Sequence, residues 1–134
     1  MIITGKILLQ TFFIWPIIEY GLHYSLHLFN EHRHKEHHIL IHRNKFNNFN
    51  SVYDLEYFYY ILPLLYWFNF PILFLGSGWY FFVHTISHYK PELLPELSQH
   101  HLTHHKYPNY NFGITNTILD KIFGTFYYKK NIIE

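Results

Sequence analysis

Ten of the 13 histidines in this 134-residue chain fall into four groups with regular spacing. Two groups are pairs four residues apart, and two are H-x-x-H-H triplets. In chain order the groups are His23/His27, His34/His37/His38, His84/His88 and His101/His104/His105. The sequence therefore carries a pair followed by a triplet, and then the same arrangement again. Since residues three and four apart lie on one face of a helix, each group can present its imidazoles together.

Neutral imidazole is a ligand for iron, zinc, copper and nickel. Four to six ligands saturate one ion, so ten histidines are enough for two ions. The chain has no cysteine, which excludes thiolate sites and iron–sulfur clusters. Carboxylate di-iron bundles need two Glu-x-x-His motifs, and only Glu31 and His34 have that spacing. The pattern thus predicts a dinuclear, all-histidine metal site.

Three histidines, His32, His42 and His100, fall outside the pattern. We expect them to face solvent or to support the ligands from outside. A loose metal-buffering tract over residues 32–42 is an alternative interpretation of the first triplet and its neighbours. The doubled order at helical ligand spacing favours a structured site instead.

The composition indicates a membrane protein. Hydrophobic residues make up 49% and charged residues only 14% of the chain, whereas about 25% charged residues are usual in a soluble domain. A net charge of +1 gives no support for nucleic-acid binding. We predict membrane segments at about residues 3–22, 52–68 and 72–89. A signal peptide is a poor interpretation of the first segment, because the stretch that follows Trp15 offers no small-residue cleavage site.

Residues 57–83 contain no Asp, Glu, Lys, Arg or His. As one helix they would place the two halves of the histidine pattern on opposite sides of a membrane. A hairpin turning near Asn69 and Pro71 places them on the same side, as a shared site requires. Basic residues accumulate on that side and are absent from the turn, so the histidines are expected to face the cytosol.

The remaining segments predict short helices. Residues 30–50 begin with a polar helix and end in a loop at 44–51. Pro91 and Pro95 delimit a helix that leads into the last triplet, residues 107–113 are rich in turn formers, and residues 116–123 form a helix that Gly124 ends. The expected fold is all-α: one domain over residues 1–134, with membrane helices and a cytosolic-side helical cap that holds the metal site.

These motifs resemble the fatty acid hydroxylase/sterol desaturase superfamily of membrane histidine-box enzymes. The four histidine groups resemble its boxes, and Asn111-Phe112-Gly113 followed by Asp120-Lys121-Ile122-Phe123-Gly124-Thr125 resembles its tail. The final third is most similar to fatty acid 2-hydroxylases, with sterol desaturases a near rival. Two positions depart from the family pattern: Tyr24 stands where Arg is common and Leu119 where Trp is usual.

The resemblance implies an O₂-dependent oxidation of an aliphatic C–H bond in a fatty acyl or sterol lipid. It implies two ions, expected to be iron with zinc possible, and an external electron donor such as a cytochrome b5, a ferredoxin or a reductase. In a eukaryote the enzyme would lie in the endoplasmic reticulum. The histidines would act as ligands, with no separate catalytic residue. Glu19, Asn111 and Asp120 are expected to orient imidazoles by accepting their outer N–H groups.

Three alternatives stay open within this interpretation. The enzyme could instead be a sterol or fatty-acyl desaturase, or a carotenoid hydroxylase of the same superfamily. It could also be a non-catalytic membrane relative that keeps its metal for stability.

Overall fold

The computed structural model describes residues 5–42 and 60–128 of the chain. Within these ranges every regular element is helical. The helices are α1 (Gly5–Leu28), α2 (His32–His42), α3 (Phe70–Tyr89), α4 (Pro95–Lys106) and α5 (Ile118–Phe123), with short 3-10 helices at Leu62–Tyr66 and Pro91–Leu93. The predicted loop at 44–51 and most of the predicted segment 52–68 lie outside the described residues.

The first and third predicted membrane segments correspond to α1 and α3. Pro16 lies inside α1, so it does not separate two segments. In the part of the chain that the structure describes, α3 is the one helix long and apolar enough to cross a membrane by length and composition. The end of the second predicted segment is a 3-10 helix at Leu62–Tyr66 rather than an α-helix.

The core lies between α1 and α3. Trp15, Ile18 and Leu26 of α1 pack with Leu73, Tyr80 and Val83 of α3 in one buried cluster. Trp15 lies directly against Gly76, where a Cβ added to the glycine would lie 2.1 Å from Trp15 Cδ2. The absence of a side chain at Gly76 therefore lets the two long helices pack closely, which fixes the positions of the histidines that both helices carry.

A tight turn joins α1 to α2. Asn30 adopts a left-handed conformation with φ 51°, and Glu31 N donates to Leu26 O at 2.9 Å. These are features of the αL helix ending known as the Schellman motif. The Glu31 carboxylate then accepts a hydrogen bond from His34 N at 2.7 Å and so caps the start of α2. The turn folds the first histidine triplet back toward the first pair.

The segment after α4 packs on α1 through α5 and its flanking loops. Gly124 ends α5 with φ 72°, as the sequence predicts. The helix starts two residues later than predicted, because Asn116 lies outside it and its side chain accepts a hydrogen bond from Ile118 N at 3.0 Å. Asn111 N donates to Thr125 O at 2.8 Å, which ties the two flanks of α5 together.

The outer faces of α1 and α3 are apolar and exposed. The side chains concerned are at least 47% exposed: Leu8, Leu9, Phe12, Phe13 and Ile17 on α1, and Phe70, Phe74, Trp79 and Phe82 on α3. Soluble monomers rarely expose large contiguous apolar patches. The clustered histidines of these two helices lie near their C-terminal ends, after the apolar faces along the chain.

Candidate metal centre

The structure brings all ten predicted ligands together and divides them into two groups of five. The first histidine group contains His23, His27, His34, His38 and His104, and the second contains His37, His84, His88, His101 and His105. Within each group the potential ligand atoms lie within 4.8 Å of one another. Helices α2 and α4 each contribute to both groups, because their triplets direct one or two imidazoles to each side.

In the first histidine group the Nε2 atoms converge on a common point. His34 Nε2 lies 2.8 Å from His27 Nε2 and 3.2 Å from His23 Nε2. His38 Nε2 lies 3.2 Å from His34 Nε2, and His104 Nε2 lies 3.0 Å from His27 Nε2. Three helices, α1, α2 and α4, therefore supply this group.

The second histidine group has the same arrangement on the other side. His101 Nε2 lies 2.9 Å from His88 Nε2 and 3.0 Å from His105 Nε2. His88 Nε2 lies 3.3 Å from His84 Nε2. The fifth member, His37 of α2, is 95% buried, with its ring centroid 4.9 Å from that of His105. Helices α2, α3 and α4 supply this group.

These distances fit a metal ion in each group. Imidazole nitrogens bind such ions at about 2.0–2.1 Å, so two of them at right angles lie about 2.9 Å apart and at the tetrahedral angle about 3.4 Å apart. The observed Nε2–Nε2 distances of 2.8–3.3 Å fall near this range. Five nitrogens per group suit an ion with a further position open to another ligand. A cation also removes the repulsion that converging lone pairs would otherwise suffer.

Four candidate ligands outside the two long helices are held in the form that binds metal. Burial lowers the pKa of His34, His101, His104 and His105 well below the ordinary histidine value, and neighbouring imidazoles lower it further. These four side chains are therefore neutral at physiological pH. Only neutral imidazole has a lone pair available for a metal ion.

Backbone carbonyls orient two ligands of the first histidine group. His23 Nδ1 donates to Phe112 O and His104 Nδ1 donates to Tyr110 O, both at 2.6 Å. Since a carbonyl oxygen only accepts, Nδ1 carries the proton in each ring and Nε2 presents its lone pair. Sequence reasoning missed these acceptors. A sequence does not show which backbone oxygens face a ligand. The one available signal is Asn111, which lies between the two acceptors and adopts a left-handed φ of 58° that asparagine tolerates well.

The prediction that Glu19, Asn111 and Asp120 accept N–H groups from ligand imidazoles is wrong in its direct form. All three are buried, but their hydrogen bonds go elsewhere. Asn111 Nδ2 donates to His100 O at 3.2 Å, and its Oδ1 accepts from Tyr127 N at 2.7 Å. The two carboxylates bind backbone N–H groups of the loop after α4. Each residue helps to hold the loop whose carbonyl oxygens accept from the imidazoles, so the three residues support the ligands only indirectly.

Two carboxylates hold four successive N–H groups of this loop. Asp120 accepts from Phe112 N and Gly113 N, each at 2.8 Å. Glu19 accepts from Thr115 N at 2.8 Å and from the preceding Ile114 N. The loop is thus fixed to α1 through Glu19 and to α5 through Asp120, with its carbonyl at residue 112 left facing His23.

Further contacts support the two carboxylates. Trp15 Nε1 donates to Glu19 at 3.0 Å, which links the helix crossing to the loop. Thr125 Oγ1 and His100 Nε2 lie 2.7 and 2.9 Å from Asp120 carboxylate oxygens. Burial alone would raise the pKa of Asp120, but the hydrogen bonds from His100, Thr125, Gly113 and Phe112 outweigh it and lower the pKa below its ordinary value. Asp120 is therefore ionised and accepts from all four donors.

Of the three histidines outside the pattern, His32 and His100 join neither group. His32 is exposed on α2. His100 is 95% buried and contacts Asp120, so it supports the loop and does not face solvent. The side chain of His42 lies outside the described part of the structure.

A cavity of about 300 Å³ opens onto the centre. Its lining includes His27, His34 and His38 of the first histidine group and His105 of the second, together with residues of α1, of α2, of the turn between them and of the loop after α4. A larger cavity, of about 550 Å³, lies on the other face of α4 and includes His100 but none of the ten ligands. Of these two cavities, the smaller one is lined by histidines of both groups.

Comparison with known proteins agrees with this geometry. The family model described as "Fatty acid hydroxylase" matches residues 8–125. No match was found among curated proteins or among solved structures. The matched range contains all ten clustered histidines, both buried carboxylates and the loop that they hold. The chain belongs to the fatty acid hydroxylase family and is thereby assigned to the oxidoreductases of the hydroxylase/desaturase superfamily.

Proposed function

We propose that this protein is a membrane-bound, O₂-dependent di-iron monooxygenase that hydroxylates an aliphatic C–H bond of a fatty acyl or sterol lipid. The observation that carries the proposal is the division of ten histidines into two adjacent groups of five by helices that serve both. A structural metal site needs only four ligands and is closed. Two five-ligand sites side by side suit a centre that acts on a bound molecule.

The reaction has a defined balance. One C–H bond of the substrate and the O–O bond of O₂ break, one oxygen atom enters the new C–OH group, and the other leaves as water with two electrons and two protons taken up. Iron, when bound, would supply the reduction of O₂ that this requires. The sequence contains no flavin, haem or nicotinamide motif. We therefore expect the electrons to come from a partner such as a cytochrome b5, a ferredoxin or a reductase.

The residues of the chain perform the binding and shielding. Ten imidazoles would hold the ions, and the buried ring of Phe112, which lies against His23, His27 and His104, would shield the first histidine group from water. The cavity beside His34 and His38 gives one carbon of a substrate access to both groups. Excluding water protects a strong oxidant from side reactions.

A lipid substrate and a membrane location are supported by the outer surface. The exposed faces of α1 and α3 are apolar, and α3 has the length and composition of a membrane span. An acyl chain or a sterol dissolved in the bilayer would approach the centre along these helices. We place the histidines on the cytosolic side, on the membrane of the endoplasmic reticulum if the source is eukaryotic, because basic residues accumulate near them in the sequence.

The test is metal and product analysis of the full chain purified in detergent. Two irons per chain, with O₂-dependent and donor-dependent addition of one hydroxyl to a lipid, support the proposal. Lipid profiling in a host without hydroxylated lipids would name the substrate and would test the expected similarity to 2-hydroxylases. A new double bond would assign desaturation instead, and a hydroxylated carotenoid would assign that rival. Two tightly held zinc ions without turnover, even after iron reconstitution with an electron donor, would make the protein a non-catalytic relative.

Membrane association needs a separate test. We expect the protein to stay with membranes after alkaline carbonate washing and to require detergent for extraction. Release by carbonate without detergent would contradict a membrane-spanning location. It would favour a soluble histidine-rich metal buffer.

A further inference from the structure

One peptide group lies between Asp120 and His23. Gly113 N donates to Asp120 Oδ2 at 2.8 Å, and the carbonyl of the same peptide unit, Phe112 O, accepts from His23 Nδ1 at 2.6 Å. The described peptide bonds are trans, so the N–H and C=O of this unit point in opposite directions. A buried carboxylate and a candidate metal ligand are therefore connected through a single rigid plane.

We propose that Asp120 is a positioning residue for the ion of the first histidine group and acts on His23 through the Phe112–Gly113 peptide. The inference rests on the proposed function, since it requires that this group binds a metal ion. Asp120 fixes the orientation of the peptide and polarises it, because hydrogen bonds in a chain strengthen one another in a low-dielectric interior. A stronger acceptor at Phe112 O makes His23 a better ligand. In many metal sites a carboxylate contacts the ligand histidine directly, whereas here a peptide unit stands between them.

The effect should be confined to one ion. His23 belongs to the first histidine group. The other partners of Asp120 are Phe112 N, Thr125 and His100, none of which belongs to the second group. In that second group, His101 is fully buried and its Nδ1 has no hydrogen-bond partner among the described residues. Substitution of Asp120 should thus lower the metal affinity of the first histidine group and leave that of the second unchanged.

The first experiment measures Co²⁺ binding to the full chain in detergent, with the visible absorption of Co²⁺ as the signal. Asp120→Asn should lower the Co²⁺ affinity of one site by about 10- to 100-fold, which is the range usual for loss of a residue that orients a ligand. The affinity of the other site should be unchanged. Glu92→Gln is the control. It neutralises an exposed carboxylate that lies outside the loop and outside both histidine groups. We expect Glu92→Gln to leave both affinities unchanged.

A second experiment does not depend on the folding of Asp120→Asn. His27→Ala removes a ligand from the first histidine group and His88→Ala removes one from the second. Co²⁺ should slow hydrogen exchange of the segment at residues 110–115 in His88→Ala, where the first group is intact. It should have little effect on that segment in His27→Ala.

The outcomes separate the inference from the proposed function. The role of Asp120 would be overturned if Asp120→Asn lowered both Co²⁺ affinities equally or lowered neither. It would also be overturned if Co²⁺ protected residues 110–115 equally in both histidine variants. Each of these results would leave a dinuclear centre in place. Failure of the unsubstituted chain to bind Co²⁺, Zn²⁺ or Fe²⁺ would overturn both.

Discussion

The imidazoles of His38 and His105, which belong to different histidine groups, lie with their ring centroids 4.4 Å apart. His38 comes from the triplet of α2 and His105 from the triplet of α4. This contact places the two groups directly beside each other. The two helices that carry the triplets therefore contribute to both groups and bring them into direct contact.

His104→Ala should remove one ligand and one carbonyl-oriented ring from the first histidine group. We expect the metal content to fall from two ions to about one per chain and lipid oxidation to be lost, because both ions are needed for the chemistry. Metal analysis of the purified variant and lipid product analysis measure the two effects. His32→Ala is the control, since this exposed histidine belongs to neither group. Loss of metal in His32→Ala equal to that in His104→Ala would contradict the assignment of ligands.

Gly76→Ala should destabilise the packing of α1 against α3. The new Cβ would lie 2.1 Å from Trp15 Cδ2, and overpacking of this kind typically costs about 1–3 kcal/mol. Gly78→Ala is the matched control on the same helix, because its Cβ would meet nothing within 4 Å. Thermal unfolding in detergent should show a lower midpoint for Gly76→Ala and an equal or higher one for Gly78→Ala. Similar midpoints for the two variants would show that the close approach at Trp15 does not limit stability.

Gly113→Ala should distort the loop that orients His23. An added Cβ would lie 2.2 Å from Asn116 O and 2.9 Å from Asp120 Oδ2. We expect weaker binding of the first ion, because Phe112 O can no longer keep its position. Gly21→Ala tests the same substitution where a Cβ meets nothing within 4 Å. A Co²⁺ titration that gives the same two affinities for Gly113→Ala as for Gly21→Ala would contradict the role of the loop.

The metal-free protein should lose stability as the pH falls below about 6.5. Burial lowers the pKa of His34, His101, His104 and His105 in the folded chain, while in the unfolded chain they titrate near 6.5. Below that pH the unfolded chain binds more protons than the folded chain, so the free energy of unfolding decreases. Each such group contributes a slope of about 1.4 kcal/mol per pH unit.

Chemical unfolding of the metal-free protein between pH 8 and pH 5 measures this slope. We expect a flat region above pH 7 and a steep fall below pH 6.5, and bound Zn²⁺ should move the fall to lower pH by keeping the imidazoles neutral. Stability that is constant down to pH 5 would show that these imidazoles are accessible to water.

The clustering of the ten histidines could be predicted from the sequence because helical spacing is a local property. Pairs at i, i+4 and triplets at i, i+3, i+4 share a helix face whatever the tertiary fold. The distribution of the ligands over the two groups could not be predicted in the same way. Whether His37 joins His34 or His84 depends on how α2 lies across α1 and α3, and side-chain spacing within one helix carries no information on that.

The support of the site was harder to predict for a different reason. The sequence predicts that Glu19, Asn111 and Asp120 support the ligands, but the contacts by which they hold the loop are to backbone groups. Every residue except proline carries the same N–H and C=O, so a sequence cannot show which carbonyl faces an imidazole. The turn at Asn30 is similar, since its left-handed conformation becomes recognisable only with the hydrogen bonds around it.

The shared triplets have a consequence for fragments of the chain. The first histidine group needs residues from His23 to His104, and the second needs residues from His37 to His105. The two ranges overlap almost completely, so any single cut between His37 and His104 divides both groups. A truncation before α4 deprives both sites of ligands at once. For any break within that range, the capacity to bind the two ions is gained or lost as a unit.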